Sequence, residues 1–206
     1  MSNVTALIFV EGDTEEEFYK VVCDKYLRGV TKGVYNLHGN HSIHNKVLDK
    51  TYCFLEKNPH SLARIYCCID RESREHNPPI DINFLTEVFK IGSKKCRVLS
   101  IEKVIATQMI ESWFLYDMDG IYKFLSTPHA ERKHHKFKPP EKFNHIDLAK
   151  LFNRYKKSYI KGHKCQNFVN HLDIDKIVRA CDELQKGINS ILRKKQLPKM
   201  KAHKSK

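Results

Sequence analysis

The sequence has no long apolar run, no CxxC pair and no recognisable leader, and each absence excludes a class of protein. No stretch approaches the roughly 18–20 apolar residues that are needed to cross a bilayer. Met1–Val4 lacks the basic stretch and apolar core of a secretory signal, so we expect a cytoplasmic protein with no membrane partner. The seven cysteines are odd in number, which argues against a disulfide framework, and their spacing disfavours a structural zinc site.

Acidic residues are scarce where basic residues are dense. The chain has 37 Lys and Arg against 24 Asp and Glu, a net charge of +13, which favours a polyanionic partner such as nucleic acid. Residues 132–164 hold eleven basic residues and two acids, and residues 193–206 hold seven basic residues and no acid. Residues 11–17 hold five acids and no base, which suggests a metal site within a phosphate-attracting surface.

Hydrophobic patterning in the first half of the chain alternates between strands and helices. Strands are predicted over residues 4–10, 29–37, 63–69 and 96–101, and helices over 14–26, 46–56 and 82–91. Thr14 and Glu17 have the spacing of a capping box, and His38–Asn45 is expected to be a loop. This order predicts an α/β fold, a Rossmann-like, mostly parallel sheet flanked by helices.

The second half is predicted to be helical. Helices are expected over residues 106–116, 117–125, 146–155 and 174–193, with an exposed basic loop over 129–143. We therefore expect a catalytic core over 1–117, a helical extension over 118–192 and a basic tail over 193–206. That tail is either part of a nucleic-acid surface or a solvated, disordered end.

Carboxylates follow two of the predicted strands directly. Glu11 comes after the first strand, with Glu15 opening the next helix, and Asp70 and Glu72 come after the third strand. Ligands of a parallel α/β sheet bind beyond the carboxyl ends of its strands, so neighbouring strands would present these groups in one crevice. Such oxygen ligands suit Mg²⁺ or Mn²⁺, and two such ions about 3.5–4 Å apart can stabilise both oxygens of a phosphodiester displacement.

The same residues carry a family resemblance. Val10-Glu11-Gly12-Asp13-Thr14-Glu15 resembles the VEGxTE motif of TOPRIM domains, particularly those of the overcoming-lysogenisation-defect nucleases. The resemblance implies that Glu11 and a later Asp-x-Asp hold metal ions, and Asp70-Arg71-Glu72 stands where that motif would be. Glu72 replaces the second Asp, so its ligation departs from the family pattern.

A third segment extends the likeness. Ala106–Asp117 is similar to the E-x-W-x-L-x-D helix of small stand-alone TOPRIM-like proteins in bacterial antiphage defence systems, which are often found beside an ATPase. The resemblance makes Glu111 a further candidate metal ligand and implies an ATPase partner protein. The alternative is that Trp113 is a core residue and Glu111 a surface acid.

Basic residues near the carboxylates would stabilise charge on a reacting phosphate. Lys161, in a glycine-containing basic loop, and Lys103, expected to follow the fourth strand, are the candidates for the phosphate-facing lysine. Arg71 and Arg74 flank the second acidic motif.

Histidines offer a weaker alternative metal site. His38, His41 and His44 are spaced by three, which would bind a transition metal on a helix, but the intervening glycine and asparagines favour a loop. His134 and His135 are expected to contact phosphate.

Two functions remain open at this point. The first is a TOPRIM endonuclease that cleaves RNA or DNA with two Mg²⁺ or Mn²⁺ ions in antiphage defence, with RNA favoured because some relatives act on transfer RNA. The second is a non-catalytic nucleic-acid-binding or ATPase-associated subunit on the same fold. A homodimer is expected from base rates alone.

Overall fold

We describe the chain from a computed structural model, which covers residues 3–71, 77–93, 96–132, 142–161, 163 and 166–192. Four strands form one sheet: β1 (Asn3–Val10), β2 (Lys32–Asn36), β3 (Ser61–Asp70) and β4 (Val98–Ala106). Their order is β2-β1-β3-β4, and every pair is parallel. The prediction of an α/β fold with a parallel sheet is confirmed, and β1 and β3 are neighbours as the crevice requires.

Three helices connect the strands: α1 (Asp13–Tyr26), α2 (Ile43–Lys57) and α3 (Ile82–Phe89). The described part of the second half contains α4 (Ile110–Phe114), α5 (Met118–Phe124), α6 (His145–Arg154), α7 (Gln166–Val169), α8 (Ile174–Ala180) and α9 (Asp182–Leu192). Short 3₁₀ turns lie at Leu115–Asp117 and His129–Glu131. No helix in these described ranges combines the length and apolar character needed to span a membrane.

Side chains alternate between the two faces of the sheet, and each face has its own apolar core. Leu7, Ile65 and neighbouring residues pack under α2 and α3. Ile8 and Tyr66 point the other way, into a larger core that includes α1 and the helices after β4. The predicted helical extension over 118–192 therefore shares its hydrophobic core with the sheet and does not form a separate one.

Helix α9 lies against β4 at close range. A Cβ on Gly187 would stand 2.6 Å from the Val104 side chain, so a larger residue would push the helix away from the strand. The Tyr66 hydroxyl also donates to the Ser190 carbonyl at 3.3 Å. These contacts fix the C-terminal helices on the face of the sheet that carries the candidate site.

The capping-box prediction at the first helix is wrong. Helix α1 begins at Asp13 with Gly12 as its N-cap, so Thr14 lies inside the first turn. There the Thr14 hydroxyl is buried and donates to the His163 carbonyl at 3.4 Å, which ties α1 to the segment after α6.

Three further boundaries differ from the predictions. Helix α2 begins at Ile43, inside the segment expected to be a loop. The segment 106–116 starts as strand, because β4 continues to Ala106. The helix predicted over 174–193 is two helices, α8 and α9, separated at Cys181, whose sulfur accepts from the Leu184 amide at 3.5 Å.

Candidate metal centre

The carboxyl ends of β1 and β3 bring two of the predicted carboxylates into contact. Val10 pairs with Cys68 in the parallel register, so Glu11 and Asp70 follow at the same edge of the sheet. The Asp70 backbone N–H donates to Glu11 Oε1 at 3.0 Å. Adjacent parallel strands that end together are the reason why residues so distant in sequence meet.

Two helix starts add two further carboxylates. Glu15 lies in the first turn of α1 and Glu111 in the first turn of α4, with exposed fractions of 5% and 0%. Asp70, only 4% exposed, accepts the Ile110 backbone N–H at 3.1 Å through Oδ1 and so links β3 to α4. The described structure thus brings together Glu11, Glu15, Asp70 and Glu111, which we call the carboxylate cluster.

Burial and the charges of neighbouring carboxylates raise the pKa values of two members of the carboxylate cluster, Glu15 and Asp70. The pKa of Glu15 is raised from 4.5 to about 7, first by burial and then by the charges of Glu111 and Glu11. The pKa of Asp70 is raised well above its usual range by burial and by the charges of Glu15, Glu111 and Glu11. Carboxylates that disfavour their own ionisation in a cleft are a mark of functional sites.

Lys161 supplies the nearby positive charge. Its Nζ lies 3.8 Å from Asp70 Oδ2, with 30% of the side chain exposed. The same Nζ is 3.9 Å from the sulfur of Met109, the residue that precedes α4. The lysine therefore lies beside the carboxylate cluster and partly open to solvent, where a phosphate could reach it.

The carboxylate cluster fits a divalent cation in its chemistry. Asp70 Oδ2 and Glu111 Oε2 are buried and have no hydrogen-bond partner in the described part of the chain. One partly exposed ammonium does not compensate several buried carboxylates, and buried charge without a partner is costly. Among the described residues, no three His, Cys, Asp or Glu side chains are already arranged around one metal position. The crowded charge and these two oxygens without a hydrogen bond still fit a cation, because repelling carboxylates separate until a cation draws them in.

The free space at the carboxylate cluster is small. A cavity of about 10 Å³ is lined by Glu15, Asp70, Ile110 and Trp113 among others. That volume is about enough for one water-sized particle. A polymeric substrate would have to reach the carboxylates from the solvent side, where Lys161 lies.

Lys103 is not where its prediction assumed. It lies within β4, three residues before the strand ends at Ala106, which pairs with Asp70. Lys103 pairs with Cys67, whose side chain lies on the face of the sheet covered by α2 and α3, opposite to the face that carries the carboxylate cluster. At about 3.3 Å per residue, Lys103 is also roughly 10 Å short of the strand end.

Of the remaining predicted site residues near the second acidic motif and in the basic loop, the structure describes only Arg71. Glu72, Arg74, His134 and His135 lie outside the described residues. The Arg71 backbone N–H donates to the Ala106 carbonyl at 2.9 Å and continues the β3–β4 pairing by one residue.

The three spaced histidines have separate environments. His44 lies in α2, where Nε2 accepts the Asp81 backbone N–H at 2.7 Å and the ring meets Phe84 edge-on. His38 and His41 are exposed in the loop before α2. His44 therefore has a structural role, and the spacing by three does not produce a shared helix face.

Sequence patterns missed the residues that hold α4 in place. Glu183, in the first turn of α9, accepts from the Thr107 amide and from Trp113 Nε1, each at 3.2 Å, and from the Thr107 hydroxyl. Tyr159 donates to Glu111 Oε1 at 2.7 Å. Neither residue had a local signal, because each contact joins parts of the chain far apart in sequence.

The tryptophan of the E-x-W-x-L-x-D segment belongs to the core, and its aspartate has a structural role. Trp113 is buried and packs against the Phe18 ring at 6.2 Å between centroids. Asp117 is buried, accepts a hydrogen bond from the Asp173 amide at 2.6 Å and lies 3.2 Å from Lys176 Nζ, so it anchors the start of α8.

Comparisons of this chain with protein-family models, with curated proteins and with solved structures give no match.

Proposed function

We propose that this protein is a Mg²⁺- or Mn²⁺-dependent nuclease of the TOPRIM type. The observation that carries the proposal is the meeting of Glu11, Glu15, Asp70 and Glu111 with Lys161 at the carboxyl end of a parallel sheet. The first three residues belong to the motifs that resemble TOPRIM domains, and Glu111 belongs to the third segment.

Glu11, Asp70, Glu15 and Glu111 are the residues that would hold the metal, and Glu72 is the remaining predicted ligand. When bound, a divalent cation there supplies positive charge for the attacking and leaving oxygens of a phosphodiester. Lys161 stands 3.8 Å from Asp70 Oδ2, where it would bind a nonbridging phosphate oxygen and stabilise the charge that develops there.

Nucleic acid is the substrate class that fits the charge of the chain. The net charge of +13 favours a polyanion, and residues 132–164, around Lys161, are rich in Lys and Arg. We extend the proposal to a role in antiphage defence with an ATPase partner, because the stand-alone relatives that the motifs resemble are found in that setting.

The first test is cleavage of total transfer RNA, single-stranded DNA and duplex DNA with Mn²⁺ or Mg²⁺. We expect wild-type protein to cut at least one of these polymers, EDTA to stop it, and Glu11→Gln to lower the rate at least about 10²-fold. Glutamine keeps the acceptor that the Asp70 amide uses, so the variant should stay folded. Metal-independent binding without cleavage, even with an ATPase partner, would instead identify a non-catalytic nucleic-acid-binding subunit.

The two candidate lysines form a matched pair of variants. Lys161→Ala should lower the rate of cleavage about 10–100-fold, because it removes the cation beside Asp70. Lys103→Ala removes the same charge from the opposite face and should change the rate less than about twofold. Both are measured at saturating Mn²⁺ and at one salt concentration. Equal losses in the two variants would show that Lys161 contributes only to the general positive field.

A further inference from the structure

Tyr159 makes a buried hydrogen bond to the most deeply buried member of the carboxylate cluster. Its hydroxyl donates to Glu111 Oε1 at 2.7 Å, and the residue is only 7% exposed. The other oxygen, Oε2, is buried and has no hydrogen-bond partner within the described residues. One carboxylate oxygen is therefore held, while the other remains available.

The segment that carries Tyr159 is anchored on both sides of it. Residues 157–161, which we call the strap, follow α6 with alternating orientation: Ser158 and Ile160 are exposed, and the intervening residues face the protein. Lys157 Nζ lies 4.0 Å from the Phe124 ring centroid and donates to the Phe124 carbonyl. Two residues after Tyr159, Lys161 reaches Asp70.

The Tyr159 ring is also fixed by its neighbours. Its centroid lies 5.4 Å from that of Phe152 and 6.3 Å from that of Phe168, both edge-on. The ring thus has a defined place in the core without the hydroxyl. Removal of the hydroxyl alone separates its bond to Glu111 from the packing of the ring.

We infer that Tyr159 is a positioning residue, which orients the Glu111 carboxylate so that Oε2 is presented to the divalent cation. The inference rests on the proposed function, since it assigns a role to a residue around the same site. Outer partners of metal-binding carboxylates fix the orientation of the ligand, and their loss typically costs 10–100-fold in metal affinity or activity.

The alternative is a purely structural hydroxyl, and the two roles differ in what they affect. A structural hydroxyl would stabilise the fold and leave the metal dependence of a folded molecule unchanged. A positioning hydroxyl would shift the metal concentration needed for activity, while the rate at saturating metal returns close to that of the wild type.

The test is a Mn²⁺ titration followed by electron paramagnetic resonance, in parallel with cleavage as a function of Mn²⁺ concentration. The proteins are wild type, Tyr159→Phe and Tyr66→Phe; Tyr66 is a matched control because its buried hydroxyl donates to the Ser190 carbonyl instead. We expect Tyr159→Phe to weaken Mn²⁺ binding about 10-fold or more and to raise the half-saturating Mn²⁺ for cleavage by a similar factor. Tyr66→Phe should match the wild type in both measurements.

The outcomes separate this inference from the proposed function. If wild type and Tyr159→Phe bind Mn²⁺ with the same affinity and need the same Mn²⁺ concentration for cleavage, the positioning role is overturned. The proposal that the protein is a nuclease is then retained. If the cleavage rate of Tyr159→Phe stays low at saturating Mn²⁺ and its unfolding temperature is also lowered, the role of the hydroxyl is structural. If wild type binds no Mn²⁺ and cuts no polymer, the proposed function itself fails.

Discussion

Replacement of Asp70 by asparagine is expected to lower the rate of cleavage at least about 10³-fold. In the absence of metal, the variant is expected to be more stable than the wild type. Asparagine keeps the oxygen that accepts the Ile110 amide, so the link between β3 and α4 is preserved. What disappears is a buried negative charge whose ionisation is opposed by burial and by three neighbouring carboxylates. Under the proposed function, activity is lost because a carboxylate proposed to bind a hard cation becomes a neutral amide.

Two measurements check this dissociation between activity and stability. Cleavage is assayed with Mn²⁺, and urea denaturation is followed at pH 8 in EDTA. Asp81→Asn is a matched control, because Asp81 caps α3, a helix that packs on the other face of the sheet, and its change should alter the rate less than about twofold. Retained cleavage in Asp70→Asn, or a stability below that of wild type in EDTA, would contradict the metal-ligand assignment.

Glu15 is expected to make the stability of the metal-free protein depend on pH in an unusual direction. Its pKa is about 7 in the folded protein against an ordinary 4.5, so between these values the folded state retains a proton that the unfolded state releases. The favourable contribution is complete below pH 4.5 and is lost as pH rises through 7. Wild type should therefore lose about 2–3 kcal/mol relative to Glu15→Gln between pH 5 and pH 8.

The measurement is urea denaturation of both proteins in EDTA at pH 5 and pH 8. Glu16→Gln is the control: burial raises the pKa of Glu16, but the bonds from Lys20 and Asn36 outweigh it and leave that pKa lowered. Glu16 is thus ionised at both pH values, and its effect should not change between them. Mn²⁺ at pH 8 should restore stability to wild type and less to Glu15→Gln. An equal difference between wild type and Glu15→Gln at both pH values would refute the prediction.

Much of the sheet and three of the four residues of the carboxylate cluster, Glu11, Glu15 and Asp70, followed from local patterns. Continuous apolar runs located β1 and β3, and the first polar residue at the end of each run is Glu11 or Asp70. Their contact followed from parallel pairing alone. Lys103 was misassigned because β4 lies at the edge of the sheet, where a strand carries polar residues on its more open face and its end is not marked by a change in hydrophobicity.

The remaining residues of the site depend on tertiary packing. Glu111 was selected by resemblance and Lys161 from its place in a basic, glycine-containing loop. Tyr159 was not identified as a site residue, because no periodicity connects the strap to α4. The break between α8 and α9 was also hidden, because the spacing of Ile177, Cys181, Leu184 and Ile188 continues across it. Local sequence reports which face of an element is apolar, and it does not report which distant segment will cover that face.

The late position of the strap in the sequence has a consequence for the order in which the site is completed during protein synthesis. During synthesis, Glu11, Asp70 and Glu111 are added to the chain long before Tyr159 and Lys161. Helix α9, whose Glu183 binds Thr107 and Trp113, is added later still. Until residues 157–161 are made and packed, the carboxylates have neither their lysine nor the hydroxyl that holds Glu111. Under the proposed function, the site would therefore be incomplete in a ribosome-bound chain, whose nearest nucleic acids are the messenger and transfer RNAs of its own synthesis.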